Sequence, residues 1–130
     1  MLEGFEDLTA ELTLYEQHQI LPTVTNGLSK KIGKAMAVTN ARICEGLATR
    51  GKHIAGPRLR KVINYIRNTG LVPGLVASSE GYYVADNPEE MESWLKSLRG
   101  RRAALDLLIE KGEEHLRCLN EKFKFQRAEK

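Results

Sequence analysis

Apolar positions along the chain recur with two different periods, and the places where the period changes divide it into elements. Leu14, Leu21, Val24 and Leu28 fall at helical spacing. Thr13-Leu14-Tyr15-Glu16 forms a capping box at their start: the threonine hydroxyl can accept from the Glu16 amide, and the glutamate can reach back to the Thr13 amide. A first helix is expected from about Leu14. Pro22 should kink or split it, because proline has no amide hydrogen and its ring presses on the carbonyl four residues earlier. Residues 30–37, with Gly33 among lysines, read as a basic connector. Thr39 is the next N-cap candidate, and Ile43 and Leu47, four apart, give a short second helix ending near Ala48. Arg50-Gly51-Lys52 is a turn, and Ile54 is a lone apolar residue expected to plug the core. Gly56-Pro57 opens a third helix, with proline where a missing amide hydrogen costs nothing. Leu59, Val62, Ile63 and Ile66 make a clean apolar stripe on it, and Gly70 ends it as a left-handed cap.

After Gly70 the pattern is that of strands. Residues 71–77 are short, apolar and partly β-branched, Ser78-Ser79-Glu80-Gly81 is a turn, and residues 82–85 make a second strand. Two short strands around a polar, glycine-containing turn predict a β-hairpin. Tyr82 and Tyr83 point to opposite faces, one inward and one outward. Asn87-Pro88-Glu89-Glu90 then restarts a helix, with Asn87 as N-cap and two carboxylates at its positive end. From Met91 through Leu95, Leu98, Arg102, Leu105, Ile109, Gly112, Leu116 and Leu119 to Phe123, a seam runs in alternating steps of four and three. Only Arg102 and Gly112 interrupt its apolar character, so a coiled-coil-like helix is expected, with a bend or chain reversal at Gly112 as the alternative.

Composition narrows the class. The chain has 130 residues, 42% hydrophobic and 28% charged, as a small globular protein does. Its longest apolar run is far short of the roughly 20 residues that cross a bilayer, and its N-terminus lacks the basic cluster of a secretory signal. A cytoplasmic protein with no membrane partner is expected. Cys44 and Cys118 have neither metal-site nor disulfide-scaffold spacing, so no metal is expected. The net charge of +3 hides an asymmetry. Residues 1–29 hold five acidic residues and no Lys or Arg, whereas residues 30–70 hold ten Lys or Arg against Glu45 alone. Such a concentrated positive field favours a polyanion, nucleic acid first.

The order helix, helix, basic helix, hairpin, helix is that of a winged helix-turn-helix domain. With the apolar stripe of the third helix turned inward, its opposite face presents Lys61, Asn64 and Asn68, flanked by Arg60 and Tyr65, with Arg58 in the first turn. Arg and Lys pair with guanine edges or phosphate, and Asn with adenine. Lys52 and His53 in the preceding turn and Ser78 and Ser79 in the wing are candidate backbone contacts. Two features run against the motif. The connection between helices two and three exceeds the usual 3–4 residues, and Glu80 at the wing tip would repel phosphate. The stretches Leu12-Thr13-Leu14-Tyr15-Glu16, Lys31-Ile32-Gly33-Lys34, residues 56–67 and residues 78–85 resemble a group of small phage- or prophage-type winged-helix proteins. In these an R-[LV]-R-K-[VI]-I-N helix precedes a G-Y-Y hairpin and a charged helix. The resemblance covers about residues 12–105 and implies a DNA-binding fold without naming a target.

No catalytic constellation is evident. His18, His53 and His115 are scattered, Glu113 and Glu114 point to different helix faces, and no phosphate-binding loop or nucleophile elbow occurs. The expectation is a non-enzyme that needs no cofactor, mainly α with a small β-hairpin. An acidic segment, 1–11, precedes a winged-helix domain, 12–86, and a C-terminal helical segment, 87–130, that dimerises through Met91, Leu95, Leu98, Leu105 and Ile109. Its expected role is duplex DNA binding, as a transcriptional regulator or replication accessory of phage or prophage type. The alternative is a protein-interaction adaptor, in which the winged helix is scaffold and the coiled coil carries the function.

Overall fold

The capping box forms as the sequence predicts. The Glu16 amide donates to Thr13 Oγ1 at 3.1 Å and the Thr13 amide to Glu16 Oε1 at 2.9 Å. In the computed structural model, which describes residues 12–128, helix α1 spans residues 14–28; the acidic segment 1–11 lies outside the described residues. Pro22 does not break α1. The segment Glu16–Ile20 is a π turn, in which the Leu21 amide reaches back five residues to the Glu16 carbonyl, and the α-helical part Leu21–Leu28 follows with Pro22 in its first turn. The wider turn accommodates the residue that cannot donate. It also explains which side chains are buried. Leu12, Glu16, Ile20, Val24 and Leu28 recur at every fourth position. Each step of four overshoots a full α-helical turn by about 40°, so this stripe would walk around a straight helix; the π turn takes part of the overshoot back. Leu14, counted above as part of the stripe, is exposed.

Helix α2, Asn40–Thr49, is capped by the Thr39 hydroxyl, which accepts from the Arg42 amide at 3.2 Å. Its end is a Schellman arrangement: Gly51, at φ 73°, donates to the Ala48 carbonyl and Lys52 to that of Leu47. Helix α3, Gly56–Thr69, closes at Gly70 in the left-handed conformation. Leu59, Val62, Ile63 and Ile66 are wholly buried, and together with Ile20 and Val76 they form the centre of the core. Ile54 packs against this core but remains half-buried.

The hairpin is shorter than its sequence pattern. Strand β1, Leu75–Ser78, pairs antiparallel with β2, Gly81–Val84, in the register Val76 to Tyr83. Residues 72–75 form a turn instead of strand, with the Leu75 amide donating to the Val72 carbonyl, Pro73 at the second position and Gly74 at φ 80° at the third. That is the residue pattern of a type II turn. Tyr83 is buried and Tyr82 is half-buried.

The basic connector is part of this layer. Val84 donates to the Lys31 carbonyl at 2.7 Å, and Gly33 donates to the Val84 carbonyl at 2.8 Å. After a tight turn at Lys34–Met36, Val38 and Tyr82 exchange both backbone hydrogen bonds, at 3.0 and 2.8 Å. The connector thereby covers the outer edge of β2, which would otherwise offer unpaired backbone groups. Gly81, at φ 122°, permits the approach: a Cβ there would collide with the Val38 carbonyl.

Helix α4, Pro88–Ala128, has 41 residues and runs unbroken through Gly112, so the chain does not reverse there. Its Glu90 amide donates to Asn87 Oδ1 at 2.9 Å, while the Glu90 carboxylate accepts from the amides of Asp86 and Lys34. The chain divides into two compact units between Glu92 and Ser93. In the second, Leu105, Ile109, Leu116, Leu119 and Phe123 are each more than half exposed. No described helix is long and apolar enough to cross a membrane.

Candidate nucleic-acid interface

The inner face of α3 is fixed by its four buried aliphatic residues, and that fixes what faces outward. Arg60, Asn64 and Asn68 are exposed on successive turns, and Lys61 stands beside them half-buried. All four belong to the expected reading face. Tyr65 does not: it is only 6% exposed and belongs to the core. It lies one residue before Ile66, at the edge of the apolar stripe, where a large ring gains more from burial than from solvent.

Arg58 also departs from its expected role. Its Nε donates to Glu16 Oε2 at 2.8 Å, and its terminal nitrogen binds Glu16 Oε1. This is a bidentate pair with a carboxylate that is 5% exposed. The guanidinium, aided by the bonds from Thr13, outweighs the effect of burial and holds the Glu16 carboxyl at about 2. Arg58 therefore clamps the start of α3 to the first turn of α1 instead of offering its charge to phosphate.

The turn between α2 and α3 is pinned to α1 in the same way. Lys52 Nζ donates to Thr23 Oγ1 at 2.7 Å, and the Tyr15 hydroxyl donates to the His53 carbonyl at 3.0 Å. These bonds hold the unusually long connection in place. Lys52 is half-buried, and the imidazole of His53 is exposed. At the hairpin tip the Ser78 hydroxyl donates to the Gly81 carbonyl and accepts from the Glu80 amide. Its single proton is committed to the turn, so Ser78 is a structural residue, whereas Ser79 is exposed. Lys34 Nζ lies 4.0 Å from Glu80 Oε1, which offsets the repulsive charge at the tip.

Arg58 and Lys34 are thus answered by carboxylates from outside residues 30–70, Glu16 and Glu80. Arg42, in the first turn of α2, and Arg50, at its end, are exposed cations that a reading confined to α3 passes over. The pairing of residues 31–38 with β2 was also missed. Its only sequence signal is the apolar pair Ile32 and Val38 flanking a glycine, too short for an alternating pattern. Among the described residues no group of three His, Cys, Asp or Glu side chains is placed to hold a metal ion. Comparison of the chain with protein-family models, with curated proteins and with solved structures gives no match in any of the three.

Proposed function

We propose that residues 12–86 form a winged helix-turn-helix that binds duplex DNA, in a regulator or replication accessory of phage or prophage type. In this reading α2 and α3 are the helix-turn-helix, α3 enters the major groove, and the β1–β2 hairpin is the wing. The observation that carries it is the outward row Arg60, Asn64 and Asn68 with Lys61 beside it, on a helix whose other face is anchored in the core. Guanidinium, ammonium and carboxamide groups are the side chains that read purine edges. Two further observations support it. The edge of the hairpin is covered by the connector, so the hairpin is braced as a wing must be. The N-terminus of α3 has no side-chain cap hydrogen bond, and the positive end of its dipole favours a backbone phosphate. The reading extends to a homodimer through Met91, Leu95, Leu98, Leu105 and Ile109.

The test is a titration of the full chain against duplex DNA at several salt concentrations. Affinity should fall steeply between about 50 and 200 mM salt, as counterions are released from each contacted phosphate. A flat response, or no binding at low salt, overturns the reading. It would favour the adaptor alternative, which the exposed apolar residues of α4 support independently.

A further inference from the structure

The seam of α4 has two defects, and their placement selects one way of pairing. Arg102 is the single charged residue on it and Gly112 the single position without a side chain. In a parallel pair in register, each seam residue meets its own copy. Two arginines would then be stacked inside the seam and two glycines would leave a hole, each a destabilising layer. When one helix is reversed, residues equidistant from a two-fold axis meet instead. With the axis at residue 107, Leu105 meets the partner's Ile109, and Arg102 meets the partner's Gly112. Leu98 meets the partner's Leu116, and the outer layers continue likewise. The longest seam side chain falls opposite the smallest in both symmetry-related layers, so each defect fills the other. The long methylene stem of arginine can lie in the glycine gap while its charge reaches the rim.

The flanks agree with the same axis: off the seam, residues meet when they lie between the same two layers, so their numbers need not be equidistant from 107. On one flank Arg99 comes opposite the partner's Glu113, an opposite-charge pair that occurs twice. On the other, Leu108 comes opposite the partner's Leu108. Leu108 lies off the seam and is 69% exposed in a single chain, and this pairing gives it an apolar neighbour. The one like-charge contact is Asp106 with the partner's Asp106, and Arg102 lies one turn away on the same helix to offset it. The unbroken course of α4 through Gly112 is essential, because a bend there would destroy the correspondence.

The geometry points to a second copy of this chain as the occupant of the α4 seam, antiparallel and centred on residue 107. This inference rests on the dimer reading above and is independent of DNA binding. Cys118 is exposed, so a spin label on it in a Cys44→Ser chain reports the arrangement. Position 118 lies level with position 96 of the reversed partner, and 22 residues of helix separate these two levels. The expected label-to-label distance is about 35 Å at 1.5 Å per residue. A distance below about 25 Å, from a parallel pair or a shifted antiparallel one, overturns the inference and leaves the dimer reading intact. A monomeric mass by sedimentation equilibrium at tens of micromolar overturns both. A second measurement avoids any label. Arg99→Glu should weaken dimerisation about fivefold, since two symmetric pairs turn repulsive, and adding Glu113→Arg should restore it. In one chain these positions are fourteen residues apart on a continuous helix, so failure of the double variant to recover overturns the register.

Discussion

Replacing Arg58 with methionine tests the account of how α3 is held. The substitution keeps most of the side-chain volume but removes the guanidinium from the Glu16 carboxylate. In the folded chain the Glu16 pKa is lowered from 4.5 to about 2, and at about 1.4 kcal/mol per unit the full shift is worth roughly 3 kcal/mol. Arg58 is its largest cause, but the Arg58 side chain is 37% exposed, so solvent screens part of the attraction. A loss of about 2 kcal/mol at pH 7 is expected. Because the folded pKa lies below the unfolded one, this stabilisation is fully present above about pH 5 and is lost as pH falls towards 2. Without the guanidinium, burial pushes the Glu16 carboxyl upwards again. The difference between the two proteins should therefore shrink by more than half between pH 7 and pH 3. Urea unfolding followed by near-ultraviolet circular dichroism of the buried Tyr65 and Tyr83 measures it. A loss below about 0.5 kcal/mol at pH 7, the range of an ordinary surface change, or an equal loss at both pH values would refute the clamp.

Other outcomes follow from the same contacts. Gly81→Ala combines an unfavourable φ with a collision against the Val38 carbonyl, so it should destabilise by about 2 kcal/mol or more. It should also speed hydrogen exchange at the Val38 and Tyr82 amides; unchanged exchange would show that the connector does not depend on this approach. Thr39→Ala removes the cap of α2 and should lower the urea-derived stability by about 1 kcal/mol, with Thr39→Asn or Thr39→Asp retaining it. In DNA titrations Asn64→Ala should lose discrimination among sequences, by about 1–3 kcal/mol for a bidentate contact. Arg50→Ala, an exposed cation at the end of α2 and off the reading row, should weaken all sequences alike, and identical behaviour of the two variants would count against α3 as the reading element.

What could be read from the sequence is what is encoded locally. The three N-caps, Thr13, Thr39 and Asn87, the glycine turns after α2 and α3 and the apolar stripe of α3 depend on residues a few positions apart, and each appears in the structure. Long-range pairings were invisible. Arg58 and Glu16 are 42 positions apart, and nothing in either neighbourhood shows that one neutralises the other. The candidate site was accordingly over-read: Arg58, Tyr65 and Ser78 have the right residue types but are spent on the clamp, the core and the turn. Arg60, Lys61, Asn64 and Asn68 were correctly placed on the outer side because the helical wheel alone decides it. Pro22 misled through a rule that is sound for α-helices and silent about π turns.

The π turn in α1 holds one residue more than an α-helix needs, so the two parts of this helix differ in their tolerance of a change in length. Deleting one of Gln17, His18 or Gln19 would let ordinary α-helical hydrogen bonds close and would leave Glu16 and Val24 seven positions apart, within about 20° of the same direction. The Arg58 clamp and the buried half of α1 would keep their common face. The cost would fall on Pro22, whose ring presses on the carbonyl four residues earlier once the turn tightens. A deletion after Val24 has no such slack and turns Leu28 and the connector behind it by about 100°. In a Pro22→Ala chain, a scan of single-residue deletions should therefore find milder losses of folding at Gln17, His18 and Gln19 than at residues 25–27.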